Sequence, residues 1–162
     1  MRRSHVLGVL ALAALSVVAA IAIPAGAQSP TTLTFKELEK GGTFKVVDAP
    51  PKAKSERTPP SVGDTLIFTN PLTKTATNSA GRLHADCVVT KGGKKFESLI
   101  VLCDGAYTFK NGTIYVSTLT KLAGARTLGT VVGGTGDYTG ARGTFQSTNG
   151  NGGSTTTITL LP

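Results

Sequence analysis

Downstream of residue 28 the chain places Val, Ile, Leu and Phe in short runs that alternate with Thr, Ser and Lys, and no stretch holds apolar positions at helical spacing over three turns. This is an all-β pattern. Candidate strands are Thr32 to Lys36, Thr43 to Val47, Thr65 to Asn70, Gly81 to Thr90, Glu97 to Cys103, Ala106 to Lys110, Thr113 to Leu119, Thr127 to Val132, Gly143 to Thr148 and Thr155 to Leu160. On the fourth of these Leu83, Ala85, Cys87 and Val89 share one face, and His84 and Asp86 share the other.

Turn chemistry separates the runs. Asn111-Gly112 lies between Tyr107-Thr108-Phe109 and Ile114-Tyr115-Val116, and both central residues of a tight hairpin turn need the positive φ that Asn and Gly tolerate. Gly92-Gly93 divides the run carrying Cys87 from the run carrying Cys103 in the same way. The segment Asp48 to Asp64 holds Pro50, Pro51, Pro59 and Pro60, which supply no ladder donor, so it reads as a surface connection. Many short antiparallel strands joined in sequence are best accommodated by closing the sheet, which removes exposed edges. The expected fold is a single closed antiparallel β-barrel of about eight strands.

Composition changes the picture at the N-terminus. Arg2 and Arg3, the apolar run Val6 to Ile23 and the triplet Ala25-Gly26-Ala27 are the three parts of a secretory signal. Cleavage after Ala27 gives a signal peptide over 1–27 and one domain over 28–162. The alternative, a retained membrane anchor, is opposed by Pro24 and the A-x-A pattern. The expected location is outside the cytoplasm, secreted or in the cell envelope, without stable membrane insertion. Cys87 and Cys103 are the only cysteines, and an oxidising compartment favours a disulfide between them. A metal site would need more ligands than His84 and Asp86, and none is expected.

The chain carries 17 Lys+Arg against 9 Asp+Glu, and removal of Arg2 and Arg3 still leaves it basic. The lysines are dispersed through turns with no aromatic platform beside them, so nucleic-acid binding is not expected. His84 and Asp86 are candidates for a ligand site if their face turns into the barrel, although the apolar set is the better core face. No nucleophile elbow surrounds any serine, so a Ser-His-Asp triad has little support.

The stretch Gly133-Gly134-Thr135-Gly136-Asp137-Tyr138-Thr139-Gly140-Ala141-Arg142-Gly143 is the most distinctive. A phosphate-binding loop would need a helix after the glycines, and the residues that follow, Thr144 to Thr148, are a strand sequence. The stretch instead resembles the G-G-T-G-x-[YF]-x-x-A-R-G signature of dirigent proteins and bacterial allene oxide cyclase-like relatives. Asp48-x-Pro50-Pro51, Gly63-Asp64 and Phe68-Thr69-Asn70-Pro71-Leu72 are similar to the early part of secreted bacterial members. The resemblance implies an eight-stranded barrel around an apolar pocket, working without metal or organic cofactor. Plant relatives cyclise an allene oxide fatty acid or orient phenoxy radicals, and assemble as trimers or dimers, so a homo-oligomer is open here too. The resemblance carries no catalytic residue across, because no motif of the plant cyclase matches. Two functions follow as expectations: binding a hydrophobic small molecule, or a cyclase or isomerase acting by conformational control. Tyr138 and Arg142 join His84 and Asp86 as ligand-binding candidates. Gly133, Gly134, Gly136, Gly140 and Gly143 are assigned to shaping a turn that Arg142 anchors.

Overall fold

A computed structural model describes residues 29–49, 59–74 and 78–162. The proposed signal peptide lies outside the described residues, as does most of the proline-rich connection. Nine strands follow one another: β1 (Thr31–Leu38), β2 (Thr43–Val47), β3 (Thr65–Lys74), β4 (Asn78–Lys91), β5 (Ile100–Phe109), β6 (Gly112–Lys121), β7 (Arg126–Gly136), β8 (Gly143–Gly150) and β9 (Gly153–Leu160). All pairings are antiparallel, in the order β1-β9-β8-β7-β6-β5-β4-β3-β2, and β1 also pairs with β3. Eight strands therefore close into a barrel and β2 is an extra strand on its rim.

Closure rests on a short seam. Only Lys36 with Thr73 and Glu37 with Leu72 join β1 to β3. The rest of that edge of β3, Thr65 to Thr69, is taken by β2. The turn between β1 and β2 thus divides one edge between two short strands, as expected when a staggered barrel closes. β2 is exposed along its length and carries Lys45 in its middle, which guards the remaining edge.

The period of two decides what fills the barrel. Leu83, Cys87 and Val89 of β4, Ile114 and Val116 of β6 and Ile158 of β9 are buried, while the alternate residues His84, Asp86, Val88 and Tyr115 are exposed. One core cluster gathers Phe35, Leu72, Leu83, Tyr107, Ile114, Phe145 and Ile158 inside the barrel. A second, Leu66, Cys87, Val89, Leu99 and Val101, packs under the β4–β5 connection. Cys87 and Cys103 are cross-strand partners on β4 and β5 and form a disulfide spanning 16 residues of sequence. A loop of that length contributes roughly 3 kcal/mol in the chain-entropy model.

Two sequence expectations need correction. The candidates Glu97 to Cys103 and Ala106 to Lys110 are one strand, β5, preceded by a 3-10 turn over Phe96–Ser98. Gly105 does not interrupt it: its bare Cα lies inside the barrel, where an added Cβ would meet Val116 at 3.2 Å and Leu83 at 3.4 Å. The glycine stretch is also less of a turn than its composition suggests, since β7 runs through Gly136 and only residues 137–142 turn.

Asp64 fixes the connection that leads into β3. Its side chain is buried, and its carboxylate accepts hydrogen bonds from the Ala49 N–H (2.8 Å), the Ser61 N–H (2.6 Å) and the Ser61 hydroxyl (3.1 Å). Its backbone clips to β4, with Val89 N–H donating to the Asp64 carbonyl. Burial pushes the carboxyl pKa up, but the Ser61 and Ala49 donors outweigh it and hold it below the ordinary 3.8. A lowered folded value means stability that is complete above the ordinary value and lost as pH falls through the folded one. Asp64→Ala, which strands buried N–H groups, should therefore cost about 1–3 kcal/mol at neutral pH. The gap from the native chain should narrow as urea titrations are repeated at progressively more acidic pH; a pH-independent gap would contradict the assignment.

Candidate functional site

The two ends of the barrel differ. At one end lie the β1–β2, β6–β7 and β8–β9 turns, and between them a cavity of about 240 Å³ opens into the barrel. Phe68, Leu83, Ala85, Val116, Phe145 and the disulfide form its apolar walls. Asn70, Thr118, Ser147 and Asn149 supply polar atoms, and Lys121 and Glu39 stand among the residues that line it. The volume is just under the usual range for drug-sized ligands, so it suits a small molecule or one end of a longer one.

Glu37 is the unusual group in this wall. It alternates with Phe35 onto the inner face of β1 and sits in the seam, opposite Leu72 on one side and Ser154 on the other. It is only 7% exposed. Burying a carboxyl is costly unless hydrogen bonds replace water, and three hydroxyls do so. Tyr107 Oη and Thr156 Oγ1 donate to Oε1 at 2.8 and 2.5 Å, and Ser154 Oγ donates to Oε2 at 3.0 Å. The partners come from β5 and β9, so one side chain ties the seam to the opposite wall and to its neighbour.

Tyr107 is held in turn by its surroundings. Its ring packs against Phe35 and Phe145, with centroids 5.2 and 6.4 Å away. Burial pushes its phenol pKa well above the ordinary 10.0, and the adjacent charge and hydrogen bond of Glu37 push it further. The phenol therefore stays protonated and its single proton is committed to Glu37. A carboxylate offers about four acceptor positions, and three are filled. Glu37 also lines the cavity.

The residues singled out from sequence lie elsewhere. His84 and Asp86 are exposed on the outer wall of β4, where Leu83, Ala85 and Cys87 have taken the inner face. They share a surface but do not line the cavity. Tyr138 and Arg142 belong to the 137–142 turn at the opposite end of the barrel. Tyr138 packs on Phe109 with centroids 5.6 Å apart, and exposed Arg142 donates to the Pro162 carbonyl at 2.8 Å.

Among the glycines, Gly136 has φ 61° and Gly134 runs so close to the Tyr138 carbonyl that a Cβ would overlap it at 2.2 Å. A Cβ on Gly133 would meet nothing, so packing alone does not explain that glycine. Among the described residues, no three His, Cys, Asp or Glu side chains gather as a metal site. Sequence reading passed over Glu37 and Tyr107. The available signal was an acid two residues after Phe35, on the apolar face of a strand whose candidate limits ended at Lys36.

A family model described as dirigent-like protein matches residues 31–160. No curated protein matches the sequence. Among solved structures, a pyocyanin demethylase is similar over 80% of this chain and 99% of its own, at 19% identity and TM-score 0.65. A pterocarpan synthase dirigent protein is similar over 81% of this chain and 88% of its own, at 16% identity and TM-score 0.58. A Diels–Alderase from Streptomyces koyangensis is similar over 81% of this chain and 63% of its own, at 17% identity and TM-score 0.57. At these identities the likeness is one of fold.

Removing the phenol oxygen tests the network without altering the shape of the wall. Tyr107→Phe should lower unfolding free energy by about 1.5–3 kcal/mol, the range for a hydrogen bond to a charged group. Equilibrium urea denaturation reads this directly, and an unchanged midpoint with an unchanged slope would show that the bond contributes nothing.

Proposed function

The chain belongs to the dirigent-like protein family, and from that premise we propose that its barrel binds a small, largely apolar molecule whose single O–H or N–H donor meets Glu37. The observation that carries this reading is a buried carboxylate with an unfilled acceptor position among apolar cavity walls. Apolar walls supply affinity through area removed from water, and the one charged acceptor supplies orientation. Lys121 and Glu39, both lining residues, offer polar contacts for the rest of a longer ligand. Site residues under this reading are Glu37 and Tyr107, with Ser154 and Thr156 as positioning residues; His84, Asp86, Tyr138 and Arg142 are set aside because none lines the cavity.

The same carboxylate supports a second reading, a cyclase or isomerase. A rigid cavity that admits one conformer of a flexible reactant lowers the entropic part of the barrier, and a fixed negative charge stabilises positive charge as it develops. The similar structures include a pterocarpan synthase and a Diels–Alderase. Turnover of an allene oxide or phenoxy-radical precursor into a single stereoisomer, lost in Glu37→Gln, would favour this reading over simple binding.

Export is proposed with either reading. It is supported by the signal-like sequence over 1–27 and by a disulfide of the kind that persists in oxidising compartments.

A matched pair of probes tests the binding reading. A small phenol should raise the thermal midpoint of the native chain, and its methyl ether, which has no donor, should raise it far less. In Glu37→Gln the phenol affinity should fall about tenfold or more, as expected when a hydrogen bond to a charged acceptor is lost. Equal binding of phenol and ether by the native chain would overturn the role given to Glu37.

A further inference from the structure

The rim at the cavity end carries an apolar strip that the barrel does not cover. Phe68 of β3 lines the cavity and is directly paired with Phe44 of β2, as Leu66 is with Val46. Directly paired residues point to the same side of a sheet, so Phe44 and Val46 continue the inner face of β3. They are nevertheless 57% and 37% exposed, because β2 stands beside the closing seam and not within it. Phe96, in the 3-10 turn between β4 and β5, meets Phe44 edge to face with centroids 6.1 Å apart and packs on the same core cluster as Phe68. The strip thus runs from the cavity wall out to solvent. A bond from the Leu122 N–H to the Leu99 carbonyl (2.9 Å) ties the β4–β5 connection to the β6–β7 turn, which fixes it at the open end.

Lysines surround the strip. The β4–β5 connection presents Lys91, Lys94 and Lys95 against Glu97, and residues 39–48 present Lys40 and Lys45 against Glu39 and Asp48, all exposed. Lys94 and Lys95 immediately precede Phe96, and Lys45 lies between Phe44 and Val46 in the chain, on the other face of β2. Exposed apolar side chains with an excess of lysine beside them suit the headgroup region of a bilayer: the apolar groups leave water and the ammonium groups meet lipid phosphates. A soluble polyanion would use the lysines and leave Phe44 in water.

We infer that this rim docks on the surface of an anionic lipid bilayer, with Phe44, Val46 and Phe96 at the headgroup boundary and the cavity mouth against the membrane. The contact is peripheral and needs no spanning segment. The choice of a bilayer as partner rests on the reading that the cavity takes an apolar molecule, because such molecules leave water for bilayers. The docking itself makes no use of Glu37.

Co-sedimentation with vesicles of phosphatidylcholine, with and without phosphatidylglycerol, tests the inference. The chain from Gln28 onward is used, because it holds the whole barrel and lacks the apolar run over 6–23. It should bind the phosphatidylglycerol vesicles, bind phosphatidylcholine alone far less, and release as salt is raised. Phe44→Ser should weaken binding about tenfold, and the double variant Lys94→Glu/Lys95→Glu at least about tenfold. Val132→Ser, which removes an equally exposed apolar group from the wall of β7, should change nothing. Absence of binding, equal binding to both vesicles, or an equal loss with Val132→Ser would overturn the inference. Binding that needs the lysines but ignores Phe44→Ser would assign the rim to soluble polyanions and overturn it too. Lys94 and Lys95 are exposed, so their reversal remains decisive even where Phe44→Ser fails to fold. A protein that binds phenol but no vesicle overturns the docking alone, and one that binds vesicles but no phenol overturns the cavity reading alone.

Discussion

A carboxylate buried at the seam of the barrel is the constraint to which the other features answer. Two residue pairs are too short a ladder to hold β1 against β3 alone, and Glu37 lies in one of them. Its bonds to Tyr107, Ser154 and Thr156 reach β5 and β9, so closure is shared across the barrel interior. An apolar residue at this position would remove the desolvation cost of the carboxyl, yet it would strand three hydroxyls, and buried hydroxyls without partners are costly in their own right. The network is therefore an all-or-nothing arrangement.

The cavity and the glycine signature sit at opposite ends of the barrel. The glycines let the 137–142 turn fold tightly back on β7 and on the β5–β6 turn, with Tyr138 packed on Phe109. The end bounded by the β1–β2, β6–β7 and β8–β9 turns stays open, and there the inner face changes from Ile and Val to Thr, Ser and Asn. Under the proposed binding reading, the donor of a ligand meets Glu37 and its apolar part lies among Leu83, Val116 and Phe145.

Much of the fold was legible because the barrel obeys local rules. The Asn111-Gly112 hairpin, the alternation on β4 and the cysteines on adjacent strands need only near-neighbour geometry. The β5 merger was not legible, because a glycine inside a strand looks the same in sequence whether it breaks the ladder or makes room for Val116 and Leu83. The site was less legible still. Glu37 is brought to Tyr107, 70 residues away, and to Thr156, 119 away, by barrel closure and not by any motif. His84, Asp86 and the glycine signature are conspicuous in sequence, while the candidate site residue is a single glutamate in a strand with a hydrophobic pattern.

Glu37 ties the seam of the barrel together and, in the proposed function, keeps one acceptor position for a ligand. A crystal structure of the protein bound to a small phenol tests it most directly. The phenol ring should lie among Leu83, Val116 and Phe145, with its oxygen within about 3 Å of a Glu37 carboxylate oxygen and the bonds from Tyr107, Ser154 and Thr156 intact. A phenol seated at the 137–142 end, or one inside the cavity with its oxygen turned away from Glu37, would contradict it.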